Sequence, residues 1–197
     1  MNFVRNLMKE IKSSYQQNNY GLLFEAIIRI YKPEHCLELG CLNGYSGIHI
    51  ARGLKKNKNG KLLIIDLFED YPYNKCSLKE AKENFAKYKV LDFVKFIKGD
   101  VFEECKKIPF TKIDFLHIDI SNTGENLRKI FEILYQKFFE KTIIIFEGGS
   151  EERDKVEWMR KYKKEPITNF IESKFFKRNF DYFVFEPFPS LTICRKK

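Results

Sequence analysis

The chain has 197 residues, of which 44% are hydrophobic and 16% aromatic, enough for one domain with a full core and too apolar for a disordered protein. Its formal net charge is +9, carried on a Lys-, Ile-, Asn- and Phe-rich background of the kind that codon bias in an AT-rich genome produces. The lysines are scattered in pairs such as Lys55-Lys56, Lys106-Lys107 and Lys163-Lys164, with no long basic run before Arg195-Lys196-Lys197, which argues against nucleic acid as a partner.

Phe3, Val4, Leu7, Met8 and Ile11 fall at helical spacing with Arg5, Lys9 and Lys12 between them, so an amphipathic helix is expected there. A second helix runs from about Gly21 to Tyr31, stopped by Pro33. Residues 1–32 therefore read as N-terminal helices that form a cap, a lid or a homo-oligomer contact, and residues 33–197 as the main domain.

From there strands and helices alternate. "HCLEL" reads as a strand and Ser46 to Leu54 as a helix; "KLLIID" is a strand, and Ser77 to Tyr88 a helix with Ser77 as N-cap and Glu80 three residues on. "FVKFI" and "IDFLHID" are strands, Asn126 to Phe139 a helix, "TIIIF" a strand, and Glu151 to Lys163 a helix. The last two extended runs, joined around Pro187 to Pro189, read as a hairpin. This alternation predicts a doubly wound, Rossmann-like α/β domain with a mainly parallel sheet and an antiparallel edge. The five cysteines, Cys36, Cys41, Cys76, Cys105 and Cys194, are odd in number and form no C-x-x-C pair. With no signal-peptide pattern at the N-terminus and no apolar run near the ~20 residues a membrane span needs, they point to reduced thiols in a cytoplasmic protein.

The stretch "HCLELGCLNGYSG" (His35 to Gly47) passes from an apolar strand into Gly40, Gly44 and Gly47. Ligands of such sheets bind beyond the carboxyl ends of the strands. The loop has no P-loop lysine, which disfavours a triphosphate. It also breaks the G-x-G-x-x-G dinucleotide pattern, because Leu42 stands at the second glycine, and Glu38 would repel a pyrophosphate. A cationic ligand without phosphate suits it better. Asp66, nineteen residues after Gly47 at the end of the second strand, is placed to accept hydrogen bonds from ribose hydroxyls. Asp100 in "GDV" is placed to receive a base amino group, with Val101 beside the ring. Together these describe a nucleoside pocket.

With "LELGCLNGYSG", Asp66, "GDV" and "IDFLHID" in this order, the sequence resembles the class I S-adenosylmethionine (SAM)-dependent methyltransferases, most closely their small-molecule O-methyltransferase branch. The resemblance, which covers roughly residues 34–195, implies a seven-stranded sheet with an antiparallel last strand and SAM as cofactor. It also implies cofactor contacts from Glu38, Gly40, Cys41, Gly44, Tyr45, Ser46, Asp66, Asp100, Val101 and Asp119.

Methyl transfer to a hydroxyl needs in-line placement and a way to remove the proton. His117 and Asp119 in "LHID" lie on one face of a regular strand and are the candidate catalytic residues, although a strand histidine also reads as a packed core residue. Asp119 and Glu147 are expected to close neighbouring strands, and two carboxylates so placed repel unless protonated, hydrogen-bonded or bound to a cation such as Mg²⁺. Metal-dependent O-methyltransferases resemble this arrangement but usually add an amide or a further carboxylate after the fifth strand, where this chain has Gly148; Asn122 is the substitute ligand on offer. In "SEERD", Ser150 to Asp154 cap and charge a helix start, and Arg153 is alternatively a binder of acidic or phosphorylated substrates. The expected acceptor is a small molecule, a sugar or polar metabolite. Transfer to RNA or protein, and a non-catalytic cofactor-binding module, are the alternatives.

Overall fold

A computed structural model of the chain describes residues 11–73 and 76–197. The first amphipathic helix, expected around Phe3 to Ile11, lies outside these residues except for Ile11. The described residues form two compact units, one ending at Val101 and the other beginning at Phe102.

In the first unit, helix α1 (Tyr20–Tyr31) ends at Lys32 in a left-handed conformation just before Pro33. Strand β1 (His35–Leu39), helix α2 (Tyr45–Asn57), strand β2 (Lys61–Asp66), helix α3 (Leu78–Lys87) and strand β3 (Val94–Lys98) follow. Helix α3 starts as expected: Ser77 Oγ accepts from Glu80 N, and Glu80 accepts from Ser77 N, closing a capping box. The three strands are parallel, with Leu39 opposite Ile65 and Asp66 opposite Lys98. Their carboxyl ends therefore lie at one edge. Helix α1 crosses α2 closely because Gly53 has no side chain; a Cβ there would come within 2.6 Å of Ile28 Cγ2. Phe24, Ile28, Leu37, Ile50, Leu54, Ile64 and Phe85 are fully buried in this unit's core.

In the second unit, strand β4 (Phe115–Ile118) precedes helix α4 (Gly124–Leu134), which Thr123 caps through Asn126 N. Strand β5 (Ile143–Glu147) pairs parallel with β4, Ile118 standing opposite Phe146. Four short helices follow: α5 (Glu151–Asp154), α6 (Glu157–Lys161), α7 (Ile167–Ile171) and α8 (Lys174–Asn179). The single helix expected from Glu151 to Lys163 is thus two, because Val156 takes an extended conformation (ψ 150°) between them. Helices α7 and α8 carry no expectation from sequence. Strands β6 (Phe180–Phe185) and β7 (Leu191–Lys196) form the hairpin, and β7 pairs antiparallel with β5. The unit's core is aromatic: the Phe131 ring lies 5.0–6.1 Å from those of Phe138, Phe146, Phe170, Phe176 and Phe180.

The seven strands take the order β3-β2-β1-β4-β5-β7-β6, a mainly parallel sheet with β7 antiparallel. This is the Rossmann-like α/β architecture expected. Among the described residues, no helix is long and apolar enough to cross a membrane.

Candidate functional site

The turn after β1 is held from three directions. Gly40 N donates to Ile65 O at 3.0 Å, Cys41 N to the Asp66 carboxylate at 2.6 Å, and Asn84 Nδ2 of α3 to Asn43 O at 3.0 Å. Asp66 also accepts from Leu42 N and, through its other oxygen, from Phe68 N. The end of β2 thus fixes the glycine turn. It fixes the next strand end as well, since Asp66 O accepts from Gly99 N at 3.0 Å. Gly40 to Ser46, Asp66 and Gly99 to Val101 therefore gather at the carboxyl ends of three adjacent parallel strands.

Leu42, the departure from a glycine pattern, still adopts a glycine-like conformation, with φ +47° and its side chain 49% exposed. Gly44 opens α2 at φ +89°. Gly47 lets α2 approach β1; a Cβ there would lie 2.3 Å from Glu38 Oε2. Glu38 itself is fully buried and accepts from Ser46 Oγ at 2.5 Å, so it locks the first turn of α2 to the strand. Tyr45 is buried and its hydroxyl hydrogen-bonds the Gly21 backbone, joining that turn to α1. Asp100 is exposed and Val101 buried at the start of a single helical turn, Val101–Glu104. The buried Cys41 thiol is held well above the usual range, by burial first and then by the charges of Glu38 and Asp66. Two carboxylates, Glu38 and Asp66, thus lie at this end of the sheet.

In the second unit, His117 is fully buried within β4, and Asp119 follows the strand half-buried. Because Ile118 stands opposite Phe146, Asp119 and Glu147 close neighbouring strands, as expected. Burial, opposed by Arg153 and reinforced by the Asp119 charge, pushes the Glu147 carboxyl up to about 7. Arg153 is 5% exposed; its Nε donates to Glu147 Oε1, and its guanidinium carbon lies 5.2 Å over the Trp158 ring. Nη2 reaches Asn122 O at 3.5 Å, and Nη1 has no acceptor among the described residues. Asn122 is engaged at both ends: Nδ2 donates to Ile118 O and Glu147 O, and Oδ1 accepts from Ile120 N.

The expected divalent-cation site on Asp119 and Glu147 does not fit this donor set. Glu147 is already engaged by a guanidinium, and the Asn122 amide oxygen already accepts a backbone N–H. Gly148 brings no ligand, and a Cβ there would meet Ile167 Cδ1 at 2.3 Å. No group of three His, Cys, Asp or Glu side chains among the described residues is arranged to hold a metal. In the sequence Arg153 reads as a helix-start residue or a binder of acidic or phosphorylated substrates, not as the partner of Glu147. The signal that finds it is Ser150, whose Oγ accepts from Arg153 N and so turns that residue back toward the strand end.

A family model for a methyltransferase domain matches residues 37–147, from β1 to the end of β5. The chain belongs to this methyltransferase family. No curated protein matches it. Among solved structures, a Podospora anserina methyltransferase bound to S-adenosylhomocysteine (SAH) is 20% identical, with a TM-score of 0.70 over 95% of this chain and 81% of that one. A Bacillus cereus O-methyltransferase in complex with SAH is 19% identical, TM-score 0.72, over 95% and 83%. A Streptomyces achromogenes O-methyltransferase of tomaymycin synthesis, in complex with SAM, is 13% identical, TM-score 0.72, over 97% and 89%. The methyltransferase fold is thus shared across nearly the whole chain.

Proposed function

We propose that this methyltransferase uses SAM and transfers its methyl group to a hydroxyl of a small polar acceptor, a sugar or another metabolite. The observation that carries the reading is the acidic strand edge: the Asp66 carboxylate closes the glycine turn through Cys41 N at 2.6 Å, with the buried Glu38 carboxylate behind it. A pyrophosphate would be repelled there, whereas a ligand carrying a sulfonium and an ammonium and no phosphate is matched in charge. The O-methyltransferase neighbours solved with SAM or SAH support the same choice.

Bound SAM supplies an electrophilic methyl group on a sulfonium. The chain's own residues do the rest. Asp66, whose two oxygens accept three backbone N–H groups, retains capacity for a ribose hydroxyl, since a carboxylate offers about four acceptor sites. Asp100 and Val101 face the base. Glu38, Ser46 and Tyr45 hold the turn and the first turn of α2 rather than extending toward a ligand. Of the two candidate bases, Asp119 is the better, because it is half-buried at a strand end while His117 is fully buried in the strand. On this reading Asp119 would take the proton from the acceptor hydroxyl.

Calorimetry with SAM, SAH and NAD tests the cofactor. Binding of the first two and not the third is expected, and NAD binding without SAM binding overturns the reading. A methylation screen of sugars and hydroxylated metabolites, read by a mass gain of one methylene, then identifies the acceptor.

A further inference from the structure

We propose that the side chain of Arg153 takes the place a divalent cation holds in metal-dependent O-methyltransferases, so that this chain keeps its strand-end carboxylates without binding a metal. The inference rests on the O-methyl-transfer reading. Two carboxylates, Asp119 and Glu147, close adjacent parallel strands, and each raises the cost of charging the other. Protonation, hydrogen bonding or a counter-charge relieves such a pair. Two carboxylates and retained waters are enough to hold Mg²⁺, so the ligand count alone does not decide between a metal and a protein cation. What decides is that a cation is already built in.

Arg153 reaches Glu147 from six residues away in the sequence, across the Gly148-Gly149 turn, whose φ values are +102° and +118°. Its backbone is fixed on one side by Ser150, the N-cap of α5. On the other side is Asp154, which accepts from Ile167 N, Thr168 N and Thr168 Oγ1 of α7 at 2.7–3.0 Å. The Ser150 cap is itself anchored, because Ser150 Oγ donates to Ser190 Oγ at 2.9 Å, and Gly148 N donates to Ser190 O at 2.8 Å. The guanidinium face lies on Trp158. The charge is therefore locked at the end of β5. Arg153 is a positioning residue: it acts through Glu147 and supplies charge at a fixed point.

Manganese titration of the full chain, followed by electron paramagnetic resonance, tests this without an acceptor. The wild type and Arg153→Lys, which keep the positive charge, are expected to bind no stoichiometric Mn²⁺. Arg153→Met, which removes it, is expected to gain a Mn²⁺ site that Glu147→Gln in the same chain abolishes. Stoichiometric Mn²⁺ in the wild type, lost in Glu147→Gln, overturns the proposal; so does a folded Arg153→Met that remains metal-free. Should Arg153→Met not fold, the wild-type and Arg153→Lys titrations carry the test. SAM calorimetry on the same samples separates the two readings, since lost SAM binding removes the methyl-transfer reading and Mn²⁺ binding removes only this one.

Discussion

The Asp66 carboxylate receives the Cys41 N–H at 2.6 Å, so the residue proposed to hold the ribose also holds the turn that would surround it. The two roles predict a compound phenotype. Asp66→Ala removes an acceptor from bound ribose and releases the N–H groups of Cys41, Leu42 and Phe68. Loss of the ligand hydrogen bonds is expected to cost about 1.5–3 kcal/mol of SAM affinity, roughly ten- to a hundredfold. The melting temperature should fall as well, in contrast to a substitution that touches only the ligand. Calorimetry and thermal unfolding of the same sample read both; unchanged SAM affinity would take Asp66 out of the site.

Gly47 decides how near α2 can come to β1. A methyl group there would stand 2.3 Å from Glu38 Oε2 and 2.8 Å from Phe85 Cζ, both fully buried. Gly47→Ala is therefore expected to destabilise the protein by about 1–3 kcal/mol through overpacking, despite the better helix propensity of Ala. It should also break the Ser46–Glu38 hydrogen bond. Chemical denaturation gives the magnitude, and a stabilised variant would contradict the packing seen at this crossing.

Leu42 holds φ +47° with much of its side chain in solvent. A left-handed conformation costs a non-glycine residue about 1–2 kcal/mol. Leu42→Gly relieves that strain but adds entropy to the unfolded chain, so its net effect on stability should be within about 1 kcal/mol. The glycine turn should keep its conformation, and SAM affinity should change less than in Asp66→Ala. A large loss of affinity would instead show that the leucine side chain contacts the ligand.

The two inner strands of the first unit, β1 and β2, were legible because each is a mostly apolar run: "KLLIID" became Lys61–Asp66 residue for residue. Burial on both faces of a parallel sheet writes that pattern directly into composition. The short helices Ile167–Ile171 and Lys174–Asn179 were not legible, since one turn and a half leaves too few positions for a period to show. Of the site, Asp66 and the glycine turn were visible as residues, but not that the first closes the second, which depends on side-chain geometry. The pairing of Glu147 with Arg153 was hidden for the same reason. Two strand-end carboxylates suggested a metal, and only the cap at Ser150 reveals which cation answers them.

His49 of α2 lies buried against Gly21 of α1, its Nδ1 3.7 Å from Glu25 Oε2. Burial lowers its pKa below 6.5, against the pull of Glu25. The folded state therefore favours the neutral ring. Below 6.5 the unfolded chain takes up the proton first, and stability falls with pH until the lower folded value is passed. Glu25, held below 4.5 mainly by His49 and also by Arg52, loses its contribution only at more acidic pH, as its own folded value is crossed. Between about pH 8 and about pH 5.5 the decline in melting temperature should thus be shallower in His49→Gln than in the wild type. Parallel curves for the two proteins would assign the decline to other groups.

Arg153 and Glu147 predict a strongly non-additive pair. Both are buried, so removing one leaves the other as a charge or polar group without compensation. Arg153→Ala is expected to cost about 3–5 kcal/mol, part of it from lost packing on Trp158. Replacing both with apolar residues, Arg153→Met with Glu147→Leu, removes both charges from the interior. The ion pair had been desolvated to form, and its mutual attraction only partly offsets that cost, so the double variant should be more stable than Arg153→Ala alone. Asn122 still ties Ile118 O to Glu147 O through its side-chain amide, which keeps the two strand ends together without the salt bridge. Denaturant unfolding of the wild type, Arg153→Met, Glu147→Leu and their double variant measures the coupling. A double variant that loses the sum of the single losses would mean that the two side chains stabilise the fold independently, and that Glu147 does not need Arg153 as its counter-charge.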